Sequence, residues 1–200
     1  MKTLKNHIFS KISNYNRGKI FFPEHFRKFG KENTVHQALL RIANEGHLVR
    51  LGHGIYLYPI KDPQLGVIHP SIDGIARAIA KRDRARIIPT GAMALSKLGL
   101  TTQVPMNAVY LTDGSPRSIQ IGNRKIKFKR TVPKNVAVKG EISGLVIQAL
   151  REIGKDKITE EQLETIRNLL KKEIPGNLAY DARMAPAWIR DIMFDAMEEA

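Results

Sequence analysis

Asn33, Thr34, His36, Gln37 and Arg41 place five hydrogen-bonding side chains within nine residues. An Asn or Gln amide can pair bidentately with the adenine edge, and an arginine with guanine or with phosphate. Each good pair discriminates by about 1–3 kcal/mol. Lys31, Arg50 and His53 flank this group. Such cations position a partner through its phosphates without reading its bases. The chemistry these residues suit is recognition of base edges and phosphates, not the making or breaking of bonds.

No arrangement for catalysis competes with that reading. The six histidines are scattered, with no HExxH pair, and the chain has no cysteine. Neither a GxxxxGK[ST] nor a GxGxxG loop occurs. Asp113-Gly114-Ser115-Pro116 contains the Gly-Ser pair of nucleotidyltransferases, but no paired aspartate follows at short spacing, and it reads as a turn. The expectation is a protein without catalytic residues, metal site or cofactor.

The elements that would hold the five side chains follow from their neighbours. Val35, Ala38, Leu39 and Ile42 recur at helical spacing and predict one buried face. Thr34, Gln37, Arg41 and Asn44 then fall on the polar face. Leu40 points to that polar side too, and its place is open between a thymine methyl, another segment and a second subunit. Gly46 is placed to stop the helix in a left-handed conformation. HLVRL and IYLYP follow as two strands around Gly52-His53-Gly54, a loop suited to positive φ. Upstream, Leu4, Ile8, Ile12 and Tyr15 predict a first helix over about residues 3–14. Its Lys2, Lys5 and Lys11 lie off the apolar face, near a nucleic-acid backbone or simply in solvent. Lys19-Ile20-Phe21-Phe22 reads as a strand that pairs with the hairpin. Pro23 opens a short helix, PEHFRKF, at a position proline tolerates. Helix, strand, helix, helix and hairpin is the order of a winged helix-turn-helix, whose last helix enters the major groove.

The charge agrees with a polyanionic partner. The 200 residues carry a net +14, with +7 in residues 1–59, +10 in 60–135 and −3 in 136–200. No apolar run approaches the ~20 residues needed to span a bilayer. MKTLKNHIFSKI lacks the apolar core of a signal peptide. A soluble, cytoplasmic protein with no membrane partner is expected.

Residues 1–60 are expected to be the winged-helix domain, 61–70 a proline-punctuated linker and 71–200 a second domain. The latter divides into a basic α/β part, 71–135, and a helical part, 136–200. A helix over 72–82 leads to Arg82 and Arg84, which are candidate phosphate contacts. Strands are predicted at 86–88, 107–112, 117–121 and 125–131, the last three joined by turns into a small antiparallel sheet. Ile126 and Phe128 point inward and Lys125, Lys127 and Lys129 outward. That lysine stripe suits phosphates, or blunts a sheet edge against aggregation. Helices are predicted over 140–153, from Thr159 with a Thr159/Gln162 capping box, and from Pro186. Trp188, Met184, Met193 and Met197 are core there, or a docking face. The fold class is α+β: an N-terminal winged helix-turn-helix, then a mixed α/β domain with a small antiparallel sheet and a helical C-terminal tail.

The segments TVHQALLRIANEGHLVRLGHGIYLYP and IIPTGAMALSKLGLTTQVPMNAVYLTDGSPRSIQIGNRKIKFKRTVP, with ARMAPAWIRDIM near the end, resemble the AbiEi-type antitoxins of type IV toxin–antitoxin systems. The closer likeness is to a Bacteroidetes-type branch. The resemblance implies a winged helix that binds operator DNA and represses its own operon. It implies DNA contacts at Thr34, Gln37, Arg41, Arg50 and His53, and further contacts at Lys125, Lys127 and Lys129. It also implies a C-terminal domain that neutralises a cognate nucleotidyltransferase-like toxin. The leading expectation is therefore a DNA-binding, autorepressing regulator. Two alternatives stay open: an interaction module whose main work is to hold the toxin, and an RNA-binding protein. The sequence leaves the operator and the oligomeric state unassigned.

Overall fold

The computed structural model describes residues 3–198. Lys2, expected on the polar side of the first helix, lies outside the described residues. The chain forms two compact units, and it passes between them more than once. The first comprises residues up to Arg82 together with Ile119–Lys125, and the second Asp83–Ser118 with the chain from Ile126 on. Both mix helices with small sheets, and the C-terminal part is helical. Among the described residues no helix is long and apolar enough to cross a membrane.

In the first unit, α1 (Leu4–Ser13) is capped by Thr3, whose hydroxyl accepts the Asn6 amide. It buries Ile8 and Ile12. Strand β1 (Ile20–Phe21) leads into a 3-10 helix, Pro23–Phe29, that buries Phe26. Next come α2 (Glu32–Asn44), β2 (Val49–Gly52) and β3 (Ile55–Leu57). The strands form one antiparallel sheet in the order β1-β3-β2, with Phe21 opposite Tyr56 and Val49 opposite Leu57. The core gathers Ile8, Ile12, Phe26, Val35, Leu39 and Ile42. Burying one such aliphatic side chain contributes about 1.5–3 kcal/mol.

The expected linker is a hairpin. Strands β4 (Ile60–Asp62) and β5 (Gly66–Ile68) pair antiparallel around a turn in which the Asp62 carboxylate accepts the Gln64 and Leu65 amides. Those two hydrogen bonds hold the carboxyl of Asp62 below its ordinary range. Helix α3 (Ile72–Asp83) completes the main body of the first unit. Its last residues pass into the second unit without a linker, because Arg84 turns the chain there in a left-handed conformation (φ 55°). The division between units therefore falls after Arg82 and not at residues 61–70.

In the second unit, β6 (Ile87–Pro89), α4 (Gly91–Lys97), β7 (Ala108–Thr112), β8 (Arg117–Ile121) and β9 (Arg124–Arg130) follow in order. The sheet order is β6-β7-β9-β8, and β7 and β9 run parallel, with Tyr110 opposite Phe128. This corrects the expected antiparallel sheet. The chain reverses at residues 113–116, where the Asp113 carboxylate accepts the Arg86 backbone amide and its Nε, both within 2.8 Å, but β8 does not pair with β7. β9 then inserts between β7 and β8. Helices α5 (Glu141–Ile153), α6 (Glu160–Leu170), α7 (Pro175–Met184) and α8 (Ala187–Glu198) form the rest. The Thr159/Gln162 capping box opens α6 as expected. α7 is an element the sequence reading missed. Met193 is fully buried in the helical core, and Trp188 and Met197 pack against it.

Candidate nucleic-acid interface

Helix α2 is the element that presents the polar arc. Lys31 caps it in extended conformation, and the Thr34 hydroxyl donates back to the Lys31 carbonyl at 2.9 Å. Val35, Ala38, Leu39 and Ile42 are buried, and Asn33, Thr34, Gln37 and Arg41 are exposed. The helix stops at Glu45, and Gly46 follows with φ 76°. Its thirteen residues span about 20 Å at 1.5 Å each, long enough to lie along a DNA groove. Leu40 is half-buried and packs on the core of the first unit. It is a packing residue at the margin of the apolar face.

The hairpin tip meets this helix. Gly52 pairs with Ile55, leaving His53 and Gly54 as a two-residue turn. His53 stacks on His36, with ring centroids 6.0 Å apart and planes 30° apart. His36 Nε2 also lies 4.0 Å from the Glu32 carboxylate. A Cβ on Gly54 would stand 3.7 Å from the His36 ring, and Gly54 itself needs its φ of 67°. The structure thus brings His36 and His53 together at one end of α2, beside the exposed Asn33, Thr34 and Gln37. Gly52 serves differently from the expected positive φ. A Cβ there would lie 2.7 Å from the Gln120 carbonyl, so only glycine allows that backbone approach.

Arg50 is exposed on β2 opposite Tyr56. Burial raises the Tyr56 hydroxyl above its ordinary range, and the positive charge of Arg50 opposes that rise. Lys125, Lys127 and Lys129 are exposed on β9, with Ile126 and Phe128 buried between them. Lys125 belongs to the first unit and the other two to the second.

Other cations expected near phosphate are engaged within the protein. Lys5 Nζ pairs with Glu45 at 2.6 Å, tying α1 to the end of α2. Lys11 Nζ donates to the His25 carbonyl at 3.1 Å and lies over the Phe26 ring. Arg82 stacks over Phe22 at 4.6 Å and approaches Glu24 at 3.9 Å. It ties α3 to the segment Phe22–Glu24 within the protein. Arg84 is exposed where the chain turns after α3. Near this surface, burial holds His25 below its ordinary imidazole range; Glu24 opposes that, and Lys19, Lys11 and Arg82 add to it. Its Nδ1 accepts the Phe22 amide at 3.4 Å, which requires a neutral ring.

By sequence the first unit holds sixteen Lys/Arg against five Asp/Glu, a net +11 of the +14 total. Arg124 and Lys125 reach that unit only because the β8–β9 hairpin ends in it, a placement no local sequence signal announces. Among the described residues no group of His, Asp and Glu is arranged to hold a metal ion.

The first unit is thus a small basic α+β module with a polar helix face beside a hairpin tip. The chain belongs to the DUF6088 family, a family of unknown function, whose model matches residues 7–178. A solved structure similar to it is that of the RV2827C protein from Mycobacterium tuberculosis, at 13% identity and a TM-score of 0.46, covering 97% of this chain and 82% of that one. No curated protein matches the chain.

Proposed function

We propose that the first unit is a winged helix-turn-helix that binds double-stranded DNA, and that the protein is a non-enzymatic transcriptional regulator of antitoxin type, repressing its own operon. The observation that carries this reading is the juxtaposition of the exposed arc of α2 with the His53-Gly54 hairpin tip through the His36–His53 stack. The order helix, strand, 3-10 helix, helix, strand, strand, with sheet order β1-β3-β2, supports the same assignment. So does the net +11 of this unit. In this reading Asn33, Gln37 and Arg41 meet base edges. Lys31, Thr34, Arg50 and His53 set register on the phosphates. The antitoxin part rests on the resemblance to AbiEi-type proteins. It assigns to the second unit the neutralisation of a cognate nucleotidyltransferase-like toxin.

The test is fluorescence anisotropy of the full chain with duplex DNA from its own upstream region, over a range of salt. Several phosphate contacts give a steep log–log dependence, about −0.9 per contact. A flat salt response, or tighter binding to structured RNA than to that duplex, refutes the DNA reading.

A further inference from the structure

A cleft of about 280 Å³ opens in the first unit, away from the five side chains of the α2 arc. Three segments remote in sequence build it: strand β2, the start of α3, and the end of the β8–β9 hairpin. Its floor is apolar, from Leu51, Ile75 and Ile121, each no more than 8% exposed. Its polar rim is Arg50, His69, Ser71 and Arg124. No acidic residue lines it. The one acid in the first turn of α3, Asp73, is held at 2.8 Å by Arg77, which does not line the cleft. The Ser71 hydroxyl accepts the Gly74 amide and so caps α3, at the positive end of that helix dipole. Among the described residues, Arg50 and Arg124 make no hydrogen bond or ion pair.

Two guanidinium groups line one cleft with an apolar floor, and no carboxylate lines it with them to supply a counter-charge. A guanidinium fork fits the oxygens of a phosphoryl group better than a lone ammonium does. The approach of the Gln120 carbonyl to Gly52 brings the hairpin carrying Arg124 against the strand carrying Arg50. We propose that this cleft seats one phosphoryl group between Arg50 and Arg124. The group belongs either to a nucleic-acid backbone, a source that rests on the DNA-binding reading above, or to a free phosphorylated small molecule.

The experiment uses the full chain, wild type and the R124A, R124K and R50A variants, each checked for an unchanged melting temperature. First, inorganic phosphate is titrated at constant ionic strength, and the arginine side-chain and Ser71 amide NMR signals are followed. Saturable shifts in wild type, lost in R124A and R50A and weakened in R124K, support the seat. Second, the salt slope of duplex-DNA binding is compared. A slope shallower by about 0.9 in R124A assigns the phosphoryl group to the DNA backbone. An unchanged slope, with phosphate shifts lost, assigns it to a free phosphorylated molecule. No saturable shift in wild type together with an unchanged slope in R124A overturns the proposal. Wild type that binds no DNA defeats the regulator reading alone, and the phosphate titration still decides the cleft.

Discussion

The hydroxyl of Ser143 donates to the fully buried carboxylate of Asp181 at 2.5 Å, joining residues thirty-eight apart in sequence. The same carboxylate accepts the Lys139 and Gly140 amides, each at 2.8 Å. Glu173 accepts the Ile142 and Ser143 amides beside it. The first turn of α5 is therefore capped by two acids brought from the segment between α6 and α7 and from α7, not by a residue of its own. Negative charge there also suits the helix dipole.

Asp181→Ala leaves two buried donors and one part-buried donor without an acceptor, each buried one costing about 1–3 kcal/mol. A loss of roughly 3 kcal/mol or more in urea unfolding is expected, with Ser143→Ala losing about 1 kcal/mol. A change below about 1 kcal/mol for Asp181→Ala shows that the cap does not matter.

Gln37 and Lys127 separate reading from gripping. Gln37→Ala is expected to relax preference at one base position by about 1–3 kcal/mol while leaving the salt slope intact. Lys127→Ala is expected to weaken all sequences alike and to flatten the slope by about 0.9. Competition binding against single-base operator variants measures the first. If Gln37→Ala keeps the full base preference, α2 is not the reading helix.

Gly52→Ala forces a methyl to within 2.7 Å of the Gln120 carbonyl. Backbone must move on one side, at a cost of about 1–3 kcal/mol typical of overpacking. Denaturant melts of the full chain check this, and a neutral substitution rules out the close approach.

His25 gives stability a pH dependence. Its folded-state pKa lies below the ordinary value of 6.5, chiefly through burial. The unfolded chain therefore binds its proton first. The contribution is complete above about pH 6.5 and is lost as pH falls toward the lower folded value. Protonation also removes the Nδ1 acceptor of the Phe22 amide. Melting temperatures between pH 7.5 and 5 are expected to fall less steeply in His25→Gln than in wild type. Parallel curves contradict the assignment.

Periodicity made much of the fold legible. Val35, Ala38, Leu39 and Ile42 form one face in any helix, and all four are buried. The capping box at Thr159 depends on residues three apart, so it too reads locally. Leu40 stayed open among three alternatives because a helical wheel has one apolar face, while the half-buried margin of α2 also packs. The β4–β5 hairpin stayed hidden because its strands bury little and show no alternation. α7 escaped for a related reason: its buried positions, Leu178, Asp181 and Ala182, include a charge that only a distant helix end explains. The turn at Asp113 signalled a reversal of the chain but not which strand would fill the space beside β7. Of the candidate site, side-chain types along α2 were readable. The partners that occupy Lys5, Lys11 and Arg82 were not, since each tie spans distant positions.

The segment Ile119–Lys125 places the last piece of the first unit far along the chain. A nascent polypeptide leaving the ribosome has α1 through α3 in hand long before Gln120 can meet Gly52. Synthesis must proceed through β6, α4 and β7 first. The first unit is thus completed late, and shortening the gene at residue 82 would leave it open on the side where Arg50 stands.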